Sequence, residues 1–276
     1  MAGDLMLETV LIFAGVFCIA FVFSPVGMGG GMLFVPLLHY GANWPIDGTL
    51  LAVSLILTAV VSYGSGLAHR REGHHDDAVI KSALIGAVPG AIAGVGIVVM
   101  LGEQLDPVFK GLSLVMLAWA FIKTQAKLKQ QDASEGPDNG PSTEVNHIGL
   151  RTGSGIGGLL SSVLAIGAGV IYVPVLQQSA SLKARTAIGS SLHIMMVVVP
   201  VAVITHLAFL SSSELEGLRE QITILFALPF LTYLGARMGA EFGMKYINAH
   251  DIMKVFTALV AVVFLRYAWD MFGLIR

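Results

Sequence analysis

Two glycine-rich segments contain the backbone groups best placed to bind a ligand. Gly29, Gly30 and Gly31 lie in the first segment, and Gly167 and Gly169 lie in the second. A ligand can approach glycine closely because there is no side chain. If a helix begins after each cluster, its first N–H groups and its positive dipole end favour an anion. The two segments therefore predict an anion site that needs no lysine or arginine.

Hydroxyl and amide side chains near these segments could donate further hydrogen bonds to an anion. The candidates are Ser54, Ser190 and Ser191 for substrate binding, with Thr49, Thr186 and Gln177 for substrate binding or proton coupling. Each has a structural alternative, because such side chains also cap helices and bond between them. A position at the end of a helix accounts for Gln177 as well as a role in binding does.

Histidine is the ionisable residue of the apolar segments. His193 lies within the charge-free run 186–213, three residues after Ser190, so the two share a helix face. Imidazole titrates near neutrality and could carry a coupled proton, or it could simply donate a hydrogen bond between helices. The segment from His69 to Asp77 could bind a divalent metal, but a solvated cytoplasmic loop explains it better. We therefore predict no metal and no cofactor.

Composition excludes an ordinary soluble domain. Of 276 residues, 55% are hydrophobic and 12% are charged, and the mean hydropathy is +0.78. A soluble domain carries about 25% charged residues. A net charge of −2 argues against nucleic acid binding. The single cysteine, Cys18, rules out an intrachain disulfide. We expect the N-terminus to be the first membrane element, because no basic residue precedes its apolar stretch.

Charge-free runs mark the membrane elements, and two of them are too long for one straight helix. Residues 9–46 would form a helix of about 57 Å, against roughly 30 Å of hydrocarbon. The sequence Ser24-Pro25-Val26-Gly27 and the glycines that follow predict the break. The run 152–182 repeats this arrangement with Gly167-Ala168-Gly169 and Pro174. Both runs are therefore predicted to be interrupted inside the membrane.

The chain is an internal duplication. Residues 29–38 match residues 167–176 at an offset of 138, and Thr49, Ser54 and His69 match Thr186, Ser191 and His206 at 137. The predicted units are a first repeat (1–124), a polar cytoplasmic linker (125–146) and a second repeat (147–276). Treating each broken run as a re-entrant hairpin places twelve Lys and Arg inside and four outside, whereas eight full spans give ten and six. This favours an all-α membrane protein of two inverted repeats, each with a re-entrant glycine-rich element and three transmembrane helices.

Paired interruptions at matching positions are typical of transporters, whose substrate lies between two repeats. An enzyme is disfavoured, because the chain has neither HExxH nor GxSxG and its spans lack paired carboxylates. A membrane assembly or sensor subunit stays open as a non-transporting alternative. The sequence also leaves open whether two copies pair as a homodimer.

The segments GMGGGMLFVPLL (27–38) and AIGAGVIYVPVL (165–176), the downstream Ser-Leu pairs and HRREG (69–73) resemble the sulfite exporter TauE/SafE family. The resemblance implies a multi-pass inner-membrane permease that exports sulfite or a related sulfur anion with the proton gradient. Its partners would be the anion, protons and membrane lipid. Uptake of an organosulfonate or other small organic anion is the alternative. The chain departs from the family's Gly-Thr-Ser-Leu pattern, with Ala52-Val53-Ser54-Leu55 in the first half and Gly189-Ser190-Ser191-Leu192 in the second.

Overall fold

Helices and short connecting loops make up the residues that the structure describes. The computed structural model describes residues 2–26, 30–133, 145–220, 222–246 and 249–274. Its helices are α1 (Ala2–Phe23), α2 (Gly31–Gly41), α3 (Gly48–Arg71), α4 (Asp77–Leu101), α5 (Leu105–Ala133), α6 (His147–Leu164), α7 (Gly169–Ala180), α8 (Ala184–Phe209), α9 (Ser212–Glu220), α10 (Ile222–Tyr246) and α11 (Ala249–Leu274). Short 3-10 turns occupy Ser24–Val26 and Gly102–Gln104.

Three apolar stretches of the described residues are long enough to cross a membrane. They are Gly48–Arg71, Asp77–Ile122 and Ala184–Phe209. The second of these comprises α4 and the first part of α5, joined at the turn Gly102–Gln104. Together with the composition, these helices confirm an all-α membrane protein.

Both long apolar runs are interrupted where glycine and proline predict it. α1 ends at Phe23 and α2 begins at Gly31, while α6 ends at Leu164 and α7 begins at Gly169. The residue before each second helix has a positive φ, 73° at Gly30 and 54° at Ala168. A left-handed residue cannot continue a right-handed helix, so the chain reverses direction here.

The two helices around each break fold back beside each other. The amide of Asn146, which caps α6, donates to the carbonyl of Ser179 near the end of α7, at 2.8 Å. In the first half, Gly15 of α1 packs against Leu37 of α2. The end of α7 therefore lies beside the start of α6, and α2 runs back along the second half of α1, so each break lies at the tip of a helical hairpin.

Two long helices, α3 and α8, pack antiparallel through the middle of the protein. Gly48 at the start of α3 contacts Leu210 just after α8, and Gly66 near the end of α3 contacts Met196. The hydroxyl of Tyr63 donates to the carbonyl of Met196 at 2.9 Å. The first repeat therefore meets the second along the full length of these helices.

Glycine faces join each half to the other. On α4, Gly86 and Gly90 approach the backbone carbonyls of Arg151 and Gly155 on α6 so closely that a Cβ would overlap them. On α10, Gly239 approaches the carbonyl of Phe21 on α1 in the same way. Small residues permit such backbone contact between membrane helices. These glycines therefore serve helix packing.

The predicted linker is helical at its beginning. α5 continues to Ala133, so residues 125–133 extend the last helix of the first repeat. The lysines and glutamines of this segment have good helix propensity, which accounts for the extension. The first helix after this segment, α6, is capped by Asn146, whose side chain accepts a hydrogen bond from the amide of Gly149 at 2.9 Å.

Candidate functional site

The tips of the two hairpins meet on one side of α3. Gly31, the first residue of α2, lies against the carbonyl oxygen of Ala165 in the second break. A Cβ at Gly31 would also lie 2.6 Å from Oγ1 of Thr58 and 2.9 Å from the carbonyl carbon of Ile166. The absence of a side chain at Gly31 therefore lets the two breaks touch. We call Gly31, Thr58, Ala165, Gly167 and Met195 the break contact.

The second break is packed in a matching way. A Cβ at Gly167 would lie 2.5 Å from Cγ2 of Thr58 and 3.1 Å from Sδ of Met195. Thr58 and Met195 are 137 positions apart, which is the offset between α3 and α8 in the duplication. The hydroxyl of Ser54, one turn before Thr58, donates to the carbonyl of Ala165 at 3.4 Å. The predicted residues Gly30, Gly31, Ser54, Gly167 and Gly169 are thus at or next to the break contact.

A second matched pair was missed from the sequence. Ser24 and Ser162 are 138 positions apart and precede the two breaks. Ser65 of α3 donates to the carbonyl of Ser24 at 2.6 Å, and Nε2 of His206 on α8 lies 3.1 Å from the carbonyl of Ser162. In each half, a side chain of the following long helix therefore holds the carbonyl before the break. The repeat offset was the signal that could have found them.

The backbone of the breaks is held in an uncommon conformation. Ala165 and Ala168 have φ values of 51° and 54°, and Gly167 has 71°. The amides of Ile171 and Tyr172 both donate to the carbonyl of Ala168, at 2.9 and 2.8 Å. Left-handed alanines are strained, and such strain is characteristic of functional sites. The carbonyl of Ala168 thereby occupies two amides in the first turn of α7 that the sequence predicts to be available to an anion.

The space beside the break contact is small and mostly apolar. A cavity of about 10 Å³ lies between Met32 of α2, Phe109 of α5, Ile166 of the second break and Tyr267 of α11. That is room for about one water molecule. The hairpin tips are therefore closed on each other in this conformation, and an anion must separate them to reach the first-turn amides.

Three predicted residues lie away from the breaks, at helix ends. Thr49 is in the first turn of α3, beside a hollow that it shares with Trp44 and Glu214. Thr186 is in the first turn of α8, and Gln177 is half-buried in the last part of α7. The cap of α3 is Asp47, whose carboxylate accepts from the amide of Leu50 at 2.9 Å. Burial raises the pKa of the Asp47 carboxyl.

Ser190 and His193 face the α3–α4 loop. The hydroxyl of Ser190 accepts a hydrogen bond from the amide of Asp76 at 3.0 Å. The ring of His193 stacks on that of His75, with centroids 5.4 Å apart. The two residues share a face, as the sequence predicts, but this face meets the loop. Ser191 donates to the carbonyl of Ile188 at 2.8 Å and lies one turn before Met195 of the break contact.

Gly29 lies outside the described residues. Within them, no group of three or more His, Cys, Asp or Glu side chains is arranged to hold a metal ion.

The sequence did not anticipate an ion-pair cluster built on a buried lysine. Nζ of Lys110 on α5 lies 2.9 Å from Asp106 and 2.7 Å from Asp270 of α11, and Lys110 is 4% exposed. Asp270 also accepts a hydrogen bond from the hydroxyl of Tyr40 on α2, at 3.1 Å. Arg266 lies over the Tyr40 ring, 4.3 Å from its centroid. This cluster joins the first half to the second half.

A family model for the sulfite exporter TauE/SafE matches residues 11–267, nearly the whole chain. The chain belongs to the sulfite exporter TauE/SafE family. The match includes both breaks and the break contact. Family membership therefore confirms the resemblance that the glycine-rich segments indicate.

Two relatives from Xylella fastidiosa are each described as a probable membrane transporter protein. The one from strain Temecula1 is 26% identical over 63% of this chain and 64% of its own length. The one from strain 9a5c is 23% identical over 91% of both chains. The chain thus spans somewhat less than two thirds of the first relative and most of the second. No solved structure matches the chain.

Proposed function

We propose that this protein is a secondary transporter that exports sulfite or a related small sulfur-containing anion across the cytoplasmic membrane, coupled to protons. The observation that carries the proposal is the break contact. Two interrupted helices meet there, at matched positions of two repeats, which is the arrangement that alternating-access transporters use to bind a substrate. The TauE/SafE family and the names of the two relatives support the same function.

The binding groups would be the backbone amides at the hairpin tips and the nearby hydroxyls. The amides of Gly169 and Val170 precede those that the carbonyl of Ala168 already uses. Together with Gly31 and Met32 they would face an anion once the tips separate. N–H donors and the positive ends of α2 and α7 stabilise a negative charge without a basic side chain. Ser54 and Ser191, at matched positions on α3 and α8, would complete the site.

The two repeats would be inverted relative to each other. Support comes from the connections: α2 leads into the start of α3 and α7 leads into the start of α8, while α3 and α8 are antiparallel. The hairpins would therefore enter from opposite faces of the membrane. Closure of the break contact and opening at either face would give alternating access.

The test is flux through the purified protein in proteoliposomes. We expect sulfite to be released from loaded vesicles, and to be released faster when a proton gradient directed into the vesicles is applied. Sulfate and acetate should be carried poorly. Ser191→Ala should lower sulfite flux with an unchanged yield of folded protein, because it removes a donor one turn from the break contact. Thr205→Ala is the matched control, since Thr205 lies on the same helix and bonds the carbonyl of Val201 at 2.7 Å.

The other readings predict different results. An uptake permease for an organosulfonate would carry that compound inward and leave sulfite behind. A membrane assembly or sensor subunit would give no flux and no ligand-dependent thermal shift. Equal sulfite flux in Ser191→Ala and the wild type would remove this serine from the site.

A further inference from the structure

A cluster of four histidines lies where the α3–α4 loop meets α8. His69 is in the last turn of α3, His74 and His75 are in the loop, and His193 is on α8. The ring centroids of His75 and His193 are 5.4 Å apart, and those of His69 and His74 are 6.4 Å apart. Of these four, His193 is the histidine that the sequence offers as a candidate for proton coupling. The other three histidines have no role in the proposed transport function.

Two of these histidines are buried with ring nitrogens that lack partners. His69 is 3% exposed, and neither Nδ1 nor Nε2 has a hydrogen-bond partner among the described residues. His193 is 7% exposed; its Nδ1 donates to the carbonyl of Gly189 at 2.7 Å, and its Nε2 is unpartnered within the same residues. Buried polar atoms are normally paired, so each exception requires an explanation.

The internal duplication supplies a direct comparison. His206 occupies the position of His69 in the second repeat. It is equally buried, at 2% exposed, but its Nε2 is paired with the carbonyl of Ser162 at 3.1 Å. Burial at this position therefore does not require an unpaired imidazole. Of these two matched histidines, His69 is the one whose ring nitrogens lack partners among the described residues.

While this end of the protein is closed, the cluster is compatible only with neutral imidazoles. Protonation would give His69 a second N–H donor without a partner and would place a charge in a buried setting, which is costly. Its charged surroundings add repulsion: Arg70 on α3 and Arg185 on α8 act on the cluster. Of the nearby carboxylates, Asp76 is engaged as the cap of α4, and Asp77 is exposed, 3.9 Å from Nε2 of His75. On the adjacent α10, Arg237 is paired with Glu241.

The same residues hold the first repeat against the second. The carbonyl of His74 touches Gly189 so closely that a Cβ there would overlap it, and that Cβ would lie 3.3 Å from the Cβ of His69. The amide of Asp76 donates to Ser190 of α8. Water can reach His69 and His193 only if the loop moves away from α8. Proton binding and opening of this end are therefore linked.

We propose that His69, His74, His75 and His193 form a proton-binding site whose occupation separates the α3–α4 loop from α8 and opens this end of the protein. The proposal depends on the transport function for its biological purpose but makes a separate physical prediction. Imidazole has an ordinary pKa of about 6.5. Below that pH, each proton that only the open form accepts raises the open-to-closed ratio about tenfold per pH unit. Two such protons, on His69 and His193, give about a hundredfold.

Hydrogen exchange of the full-length protein in lipid nanodiscs tests the linkage. Amide exchange in residues 74–79 and 189–193, corrected for the intrinsic effect of pH, should accelerate at least tenfold between pH 7.5 and 5.5. His69→Gln should lose about tenfold of that acceleration over the same pH range. His206→Gln, the matched control, should keep the wild-type slope. A flat corrected rate in the wild type, or an unchanged slope in His69→Gln, would overturn the proposal.

Two further measurements keep the result decisive. If His69→Gln does not fold, His193→Gln should show the same loss of slope, and NMR of imidazole-labelled wild type should show His69 titrating in step with the exchange. Ordinary titration of His69 without any change in exchange contradicts the proposal. Absent sulfite flux with a normal pH response would defeat the transport function alone. Normal flux with pH-independent exchange would defeat the histidine site alone.

Discussion

Gly31→Ala is the most direct test of the break contact. The added methyl group would lie 2.6 Å from Oγ1 of Thr58, against an ordinary contact of 3.4 Å, and it would overlap the carbonyl of Ala165. Thr58 would have to withdraw by about 0.8 Å, and the carbonyl is part of a backbone already in a left-handed conformation. Overpacking of this kind costs about 1–3 kcal/mol. Because the contact exists only when the hairpin tips are closed, the closed state should become roughly 5–150-fold less populated.

Two readouts of Gly31→Ala distinguish this reasoning from general damage. The unfolding temperature should fall by roughly 2–12 °C, at about 2–4 °C per kcal/mol. Sulfite flux should fall at least about fivefold, since a carrier that cannot close its central contact cannot complete its cycle. Gly96→Ala is the control, because a Cβ at Gly96 meets nothing within 4 Å. A Gly31→Ala protein with wild-type stability and flux would show that the two hairpin tips do not touch as described.

Two more predictions concern strain and buried charge. Ala168→Gly should raise the unfolding temperature, because it removes about 1 kcal/mol of left-handed strain. Gly30→Ala should lower the unfolding temperature, because it introduces such strain. Opposite changes in the two variants would refute the assigned backbone conformation. Asp106→Asn or Asp270→Asn alone should be tolerated, since Lys110 keeps one carboxylate, whereas the double variant should lose about 3–5 kcal/mol by leaving a buried cation unpaired. Thermal unfolding of the four proteins in a double-mutant cycle measures this coupling, and additive losses would contradict it.

The helix interruptions were predictable from the sequence because they follow from local chemistry. A 38-residue apolar run cannot be one helix in a bilayer, and glycine and proline mark where it ends. The starts of α2 and α7, at Gly31 and Gly169, are each one residue before the positions that the sequence indicates. Matched spacing also identified Ser54, which lies next to the break contact.

The rest of the site depends on which helices become neighbours, and local sequence does not determine that. Thr49 and Thr186 match in the repeat, yet both are in first helical turns and far from the hairpin tips. Lys110 lies within a largely apolar stretch, but its partner Asp270 comes from α11, and the sequence does not show that these two helices are neighbours. His69 and His206 look equivalent in the sequence, and only their tertiary partners separate them.

The glycine faces have a consequence for how the chain is assembled. Because α4 is joined backbone to backbone with α6, and α10 with α1, these close contacts cross from the first half of the chain to the second. Neither half encloses a complete interior by itself. Without the second half, Gly86 and Gly90 of α4 would face lipid in place of the backbone carbonyls of Arg151 and Gly155. The helices of the two halves are therefore interdigitated, and we expect both halves to be needed for either to pack in the membrane.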